Sequence, residues 1–403
     1  MMTVSPTNME PILLSPSSRS LDMIRKLVAF DTTSRNSNLQ IIDFIRDYLA
    51  SHGVESQIVF DESGKKANLY ATLGPTDKPG IALSGHTDVV PIDGQEWSSD
   101  PWTVTERDGK LYGRGTCDMK SFLAITLAMV PEFLKQPLQQ PIHLIFSYDE
   151  EVGCVGVRRL IALLKDFRIK PSAVIIGEPT DMKVIVAHKG KKSLRARVRG
   201  FEAHSSLSPK GVNAIEYAAE MIAFLKRMGQ RCAKNGPFDN DYDVAHTTVH
   251  TGVIHGGTAL NIVPKDCYFD FEFRYIAGVD PEAMFAELKA FVDRELLPAM
   301  RAVAPDTGIT FEEISAFPGL DMPEEADLVV LAKKLAGANM VRKVAFGTEA
   351  GLFQQAGLPT IICGPGSITQ AHKPDEWVSL DQLAQCESFM HRLLDRVREK
   401  NAA

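Results

Sequence analysis

Four short apolar runs constrain this chain most: Ile81-Ala82-Leu83, Ile142 to Phe146, Ala173 to Ile176, and Pro359 to Ile362. None contains Asp, Glu, Lys or Arg, and each is too short for a helix, so each reads as a buried β-strand. Helical patterns alternate with them, which predicts an α/β fold around a largely parallel sheet. In such a sheet ligands bind just beyond the carboxyl ends of the strands. The segments found there are polar: Gly85-His86-Thr87-Asp88, Asp149-Glu150-Glu151, Gly177-Glu178-Pro179-Thr180 and, after the last run, Ala371-His372-Lys373-Pro374. A fifth segment, Gly115-Thr116-Cys117-Asp118, precedes an apolar helix. Two histidines and four or five carboxylates are thus expected in one cleft, a set suited to a pair of divalent metal ions.

At 403 residues the chain is too long for one compact core, and two domains are expected. Residues 1–189 read as the first part of a catalytic domain and 316–403 as its second part. Between them the pattern changes. Strands are expected at Lys192–Arg199, His246–Ile254, Cys267–Arg274 and Gly308–Ile314, with helices at Asn213–Met228 and Pro281–Leu296. The order βαββαβ is that of a ferredoxin-like domain, here inserted at 190–315. Elsewhere helices are expected at Ser20–Ala29, Leu39–Ser51, Lys120–Phe133, Val155–Lys165, Ala326–Leu335 and Leu380–Val397.

The net charge of -7 argues against non-specific nucleic-acid binding. No apolar run approaches the length of a membrane-spanning helix. Met1 to Ser20 lacks a basic region followed by an apolar stretch, so no secretory signal is expected; residues 1–18 read as a loose tail. Six cysteines are scattered without a CxxC pair, which suggests neither a disulfide framework nor a structural zinc site. A cytoplasmic enzyme is the expectation.

Each candidate residue also has an ordinary reading. His86 suits a metal, with Asp88 holding its second ring nitrogen, or a core position. Asp118 is a helix N-cap or a carboxylate bridging two metals, whose usual separation of about 3.5–4 Å one carboxylate can span. Glu150 and Glu151 point different ways from a strand end, so one can ligate while the other serves as general base; the alternative is a solvated acidic turn. Glu178 is held extended by Pro179, as a rigid mount or a plain strand exit. His372 lies in a Gly/Pro-punctuated loop, and His204 in a polar strand-end cluster. No Gly-x-Ser-x-Gly elbow and no phosphate-binding Gly-x-x-x-x-Gly-Lys-Ser/Thr loop occurs. Cys117 and Cys363 fall near the cleft, but a cysteine nucleophile would not explain so many carboxylates.

Ser84-Gly-His-Thr-Asp88, Gly113-Arg-Gly-Thr-Cys-Asp-Met-Lys120, Asp149-Glu-Glu151, Gly177-Glu-Pro-Thr180 and Ala371-His-Lys-Pro-Asp-Glu376 together resemble, in order, the motifs of the dinuclear-zinc M20 amidohydrolases and peptidases. The resemblance covers roughly residues 20 to 395. Within the family it is greatest to the acetylornithine deacetylase branch, on Ala187-His-Lys-Gly190, His204-Ser-Ser206, Gly211-Val-Asn-Ala-Ile-Glu216, Ile254-His-Gly-Gly257, Phe346-Gly-Thr-Glu-Ala350 and Pro365-Gly-Ser-Ile368.

The resemblance implies a zinc-peptidase-like catalytic domain with an inserted lid and dimerisation domain. It implies that His86, Asp118 and Glu178 hold one zinc, and Asp118, Glu151 and His372 the other. Glu150 would be the general base, Asp88 would orient His86, and His204 would stabilise the oxyanion in the partner subunit's site. Asn261 and Arg274 would bind the substrate's α-carboxylate, and Glu349 is a candidate for its distal ammonium. The bond Asp118–Met119 is expected to be cis. Cys117 and Ser121 depart from the family's usual alanine and glycine. The activity implied is hydrolysis of N2-acetyl-L-ornithine to L-ornithine and acetate, in arginine biosynthesis, by a homodimer. The rivals are another N-acyl amino-acid hydrolase, such as succinyl-diaminopimelate desuccinylase or aminoacylase, and a metal-binding protein without catalysis. Cobalt or manganese would suit the site as well as zinc.

Overall fold

The computed structural model describes residues 15–399. Most of the tail expected over residues 1–18 lies outside the described residues. Within them Ser17 already caps a helix, Ser18–Val28, its side chain accepting from the Ser20 N–H. The described chain divides into two compact units. One takes in the chain through Val186, Met322–Val341 and the residues from Ala356 on; the other takes in Ala187–Asp321 and Arg342–Gln355. The sequence boundaries at 189/190 and 315/316 differ from these by a few residues, and 342–355 groups with the second unit rather than with the closing stretch.

In the first unit the strands lie in the order Ser56–Phe60, Ala67–Leu73, Ile142–Ser147, Ile81–His86, Ala173–Pro179, Thr360–Gly364, then Val184–His188. The pairings of Ile142–Ser147, Ile81–His86, Ala173–Pro179 and Thr360–Gly364 are parallel, and the flanking ones antiparallel. The sheet is therefore mixed with a parallel centre. Ile81–His86, Ile142–Ser147 and Ala173–Pro179 are buried along their whole length, as expected for strands covered on both faces.

Register decides what meets at the strand ends. Ile81 pairs with both Ile142 and Ala173, and His86 with Ser147. Ser84 pairs with Ile176, so Glu178 stands level with His86. Asp149–Glu151 follows Ser147 directly. One edge of the sheet thus collects three of the polar segments. The helix Lys120–Ala128, every residue of it buried, brings Asp118 at its start.

Two expected helices are interrupted. Lys120–Phe133 ends at Ala128 and restarts as Val130–Leu134, because Pro131 has no N–H to continue the ladder. Pro281–Leu296 is helical to Phe291, passes through a π turn at Val292–Leu296, and continues as Leu297–Val303. Short strands at Thr105–Arg107, Lys110–Tyr112 and Trp377–Ser379 form a small antiparallel sheet that the sequence analysis does not predict, since three residues are too few to show a period.

The second unit is built as Gly190–Arg199, helix Ala214–Asn235, Thr248–Gly256, Asp266–Tyr275, the broken helix from Pro281, and Gly308–Phe317. Its sheet is antiparallel, in the order Thr248–Gly256, Asp266–Tyr275, Gly190–Arg199, Gly308–Phe317, which is the ferredoxin-like arrangement. Leu194, Ala196 and Val198 alternate inward against Phe269, Phe271, Phe273 and the helical Ala218, Met221 and Leu225, giving this unit its own core. Asn213 caps the long helix, its side chain accepting from the N–H groups of Ile215 and Glu216.

The parallel centre leaves no room for a side chain at Gly177, where a Cβ would lie 1.9 Å from the Phe122 ring. Gly177→Ala is expected to destabilise the protein by about 1–3 kcal/mol through overpacking. Urea unfolding tests this: an unchanged midpoint would show that the helix and sheet are not packed as described.

Candidate metal centre

The site is built around the carboxylate of Asp118, buried at the start of the helix Lys120–Ala128. Its Oδ1 lies 3.2 Å from His86 Nε2 and its Oδ2 lies 3.2 Å from His372 Nε2. One oxygen faces each imidazole, the disposition of a carboxylate shared between two cations. Glu178 Oε1 is 3.7 Å from His86 Nε2, and Glu151 Oε2 is 3.0 Å from His372 Nε2. Potential ligand atoms of His86, Glu150 and Glu178 lie within 4.8 Å of one another, as do those of His86, Asp118 and Glu151. The structure brings together all five residues expected to ligate, and Glu150 with them.

Three features of this donor set fit divalent metal ions. First, Glu178 Oε1 is buried with no hydrogen-bond partner among the described residues, costly for a carboxylate unless a cation meets it. Second, burial, reinforced by the charge of Asp118, pushes the carboxyl of Glu151 up to about 7. Burial likewise pushes Glu178 up to about 7. Third, hydrogen bonds to Asp118 and Glu151 lift His372 to about 11. Burial opposes the charge on His86, but Glu178 and Asp118 override it and raise the imidazole well above its usual value. Burial would also raise Asp118, and the two histidines more than offset this, holding it below the ordinary carboxylate range. Without metal, then, protons occupy places that cations would take. The nitrogen and oxygen donors suit zinc, cobalt or manganese.

Asp88 does more than hold His86. The His86 Nδ1 lies 2.8 Å from the backbone oxygen of Asp88, nearer than the 3.5 Å to its carboxylate. The carboxylate instead accepts from Ser34 Oγ at 2.7 Å and from the backbone N–H groups of Glu150 and Glu151 at 3.1 and 3.3 Å. It fixes the tandem glutamates from behind. Asp149, before them, adopts a left-handed φ of 54° and pairs with Lys66. Glu151 turns to His372, while Glu150 Oε1 lies 3.3 Å from Cys154 Sγ.

Glu376, quoted in a motif but given no role from sequence, organises the other side. Its Oε1 accepts from the N–H groups of Cys117 and Asp118 at 2.8 and 3.0 Å. Its Oε2 accepts from Arg114 Nη1 at 2.7 Å and Gly115 N at 3.1 Å. Arg114 and Glu376 are each 1% exposed. Four donors on one buried carboxylate lock the Gly113–Asp118 loop to the segment carrying His372. The pairing of Trp377–Ser379 with Lys110–Tyr112 continues that lock. His372 itself is half exposed, with a left-handed φ of 62°, a backbone cost borne where the side chain must aim. The bond Asp118–Met119 is cis.

The thiols near the cleft are not nucleophiles. Burial, then Glu376 and Asp118, pushes Cys117 well above its usual value, and burial pushes Cys363 up to about 12. Either would be a protonated thiol near neutrality.

The remaining candidates belong to the second unit. His204 is exposed, its Nδ1 2.8 Å from Ser206 Oγ, which leaves Nε2 as its outward nitrogen. Asn261 is exposed, and its backbone oxygen accepts from Ser205 N. Arg274 donates from Nε to Glu272 at 2.9 Å, so one edge of its guanidinium is already engaged. Glu349 is buried.

A model of peptidase family M20/M25/M40 matches residues 82–396. The chain is 32% identical over 381 residues to an acetylornithine deacetylase from Pasteurella multocida, covering 93% of this chain and 97% of that protein. It is 35% identical over 382 residues to another from Proteus mirabilis, covering 94% and 95%. Among solved structures it resembles an M20 family metallo-carboxypeptidase from Sulfolobus solfataricus, with a TM-score of 0.75 and 17% identity over 94% of this chain and 99% of that one. It also resembles a dinuclear metal-binding M20 peptidase from Bacillus subtilis, with a TM-score of 0.62 and 16% identity over 94% and 98%.

Two predictions follow from the geometry. Because the metal-free imidazoles hold protons at neutral pH, metal uptake must expel them. Affinity should therefore rise as pH rises, with net proton release detectable by calorimetry in buffers of different ionisation enthalpy. Uptake without proton release would contradict the arrangement. Glu376→Ala removes the carboxylate partner of the buried Arg114 and frees three loop N–H groups. A loss of about 3–5 kcal/mol in unfolding free energy is expected; wild-type stability would show the clamp to be unimportant. The donor set, the family match over most of the chain and the extent of its curated relatives converge: this chain belongs to peptidase family M20/M25/M40 and is a hydrolytic enzyme.

Proposed function

We propose that this enzyme hydrolyses N2-acetyl-L-ornithine to L-ornithine and acetate, as a step of arginine biosynthesis in the cytoplasm, with two divalent ions, zinc foremost. The observation that carries the metal chemistry is the Asp118 carboxylate with one oxygen toward each of His86 and His372. The choice of substrate is supported by the likeness to acetylornithine deacetylases along nearly the whole chain.

His86, Asp118 and Glu178 would hold one ion, and Asp118, Glu151 and His372 the other. Ions held there would polarise the amide carbonyl and acidify the attacking water. Glu150 takes one proton from that water and passes it to the leaving nitrogen as the C–N bond breaks. The second proton of the water, left on the nascent carboxyl group, then passes to the released amine, so that amide and water become acetate and a protonated amine. Asp88 accepts from the N–H groups of both Glu150 and Glu151 and so fixes the backbone from which one would move a proton and the other would ligate.

Asn261 and Arg274 are assigned to the substrate's α-carboxylate, Glu349 to its distal ammonium, and His204, serving the partner subunit's site, to the developing oxyanion. A homodimer through the second unit completes the proposal. The strand Thr248–Gly256 supports it as a sheet edge that exposes Val253 and Ile254, since an uncovered apolar edge invites pairing with another chain.

The decisive experiment is a substrate panel on metal-reconstituted enzyme: acetylornithine, acetylmethionine, other acetyl amino acids and succinyl-diaminopimelate. Preference for acetylornithine is expected, with activity lost to chelators and restored by zinc, cobalt or manganese. Preference for another acyl amino acid would keep the chemistry and replace the substrate, and chelator-resistant turnover would sink the mechanism. Glu150→Ala should lower kcat by roughly 10²–10⁴-fold while two ions remain bound. Loss of an ion would make Glu150 a ligand instead. Glu349→Gln should raise KM for acetylornithine and leave that for acetylmethionine unchanged; equal effects on both would remove Glu349 from the ammonium subsite.

A further inference from the structure

The turn after the tandem glutamates contains a residue that the assignments above do not use. Cys154 adopts a left-handed φ of 55°, a conformation in which a side chain is a burden and glycine is favoured. Its neighbour Gly153, with φ 121°, shows that glycine is accepted in this same turn. Flanking Val152 and Val155 are 53% and 49% exposed, yet Cys154 is fully buried. Its Sγ lies 3.3 Å from Glu150 Oε1. The backbone closes the same loop, with Cys154 N donating to Glu150 O at 2.8 Å. Arg158 Nε donates to Cys154 O at 3.1 Å and pins the turn from outside. A side chain kept at a position that penalises it, turned inward onto a carboxylate, calls for a reason beyond packing. A thiol supplies what glycine and alanine cannot, a hydrogen-bond donor.

We propose that Cys154 is a positioning residue for Glu150: its S–H donates to Oε1 and fixes the rotation of the carboxylate. This inference rests on the reading of Glu150 as the base. Glu150 cannot be anchored by backbone alone, because a glutamate side chain has three rotatable bonds beyond Cα. Asp88 fixes its N–H, and the thiol fixes the far end. The soft, weakly donating thiol holds the carboxylate without neutralising it, as a lysine or arginine would.

The test has two arms. In the metal-free full-length protein, the infrared S–H stretching band lost in Cys154→Ala is identified by difference and then followed in Glu150→Gln. A band at lowered frequency that shifts upward in Glu150→Gln is expected; a band indifferent to Glu150 overturns the contact. In the metal-loaded enzyme, Cys154→Ala and Cys154→Gly should lower kcat roughly three- to ten-fold, the rate equivalent of one hydrogen bond, with KM and metal content unchanged. Cys154→Ser, which retains a donor, should recover most of the loss. Cys154→Gly relieves the left-handed backbone, so lowered kcat without lowered stability separates positioning from folding. Wild-type kcat in both donor-less variants, or a serine variant as slow as alanine, overturns the proposal. Failure of the underlying reading looks different: wild type turns over no acyl amino acid, or Glu150→Ala remains active, while the infrared arm still decides whether the thiol meets the carboxylate.

Discussion

Crowding of like charge governs this molecule. Asp88, Asp118, Glu150, Glu151 and Glu178 gather at one edge of a buried sheet, where low dielectric makes their mutual repulsion severe. Everything around them offsets that repulsion. His86 and His372 stand between the carboxylates, Ser34 and two backbone N–H groups neutralise the field at Asp88, and Lys66 reaches Asp149. What the protein does not offset with its own hydrogen bonds, notably Glu178 Oε1, defines where cations belong.

A second buried carboxylate makes the arrangement rigid. Glu376 belongs to no ligand set, yet its four donors tie the loop carrying Asp118 to the loop carrying His372. Two ligands from distant parts of the sequence are thereby set at a fixed spacing before any ion arrives. Preorganisation of this kind lets metal affinity go into charge neutralisation rather than loop ordering. The small sheet joining Lys110–Tyr112 to Trp377–Ser379 serves the same end through backbone bonds.

Much of this was legible in the sequence because strand order and strand ends are written in local composition. Ile142–Phe146 and Ala173–Ile176 announce buried strands, and the acids after them can only fall at the carboxyl edge. The ferredoxin-like βαββαβ pattern was legible for the same reason, since Lys192–Arg199 alternates cleanly. What escaped depends on contacts between distant segments. Nothing near Glu376 signals that its partners are Arg114, Gly115, Cys117 and Asp118, and nothing near Asp88 signals that its carboxylate serves the glutamates more closely than the histidine. The breaks at Met129 and Val292–Leu296 escaped for another reason: apolar periodicity runs through both, although Pro131 marks the first, and the π turn shows only in the backbone hydrogen bonding.

The order of strands along the sheet also differs from their order along the chain, and this bears on synthesis. Ala173–Pro179 lies between Ile81–His86 and Thr360–Gly364, so one of its edges is paired by residues made nearly two hundred positions later. At the usual pace of translation that interval lasts on the order of ten seconds or more. During it a buried strand that opens with four apolar residues, Ala173 to Ile176, has an unmatched edge on the ribosome, and the histidine that faces the second oxygen of Asp118 does not yet exist. Until then the first half of the centre is an acidic, incomplete site, and the strand edge beside it is one that pairs with another chain unless something covers it.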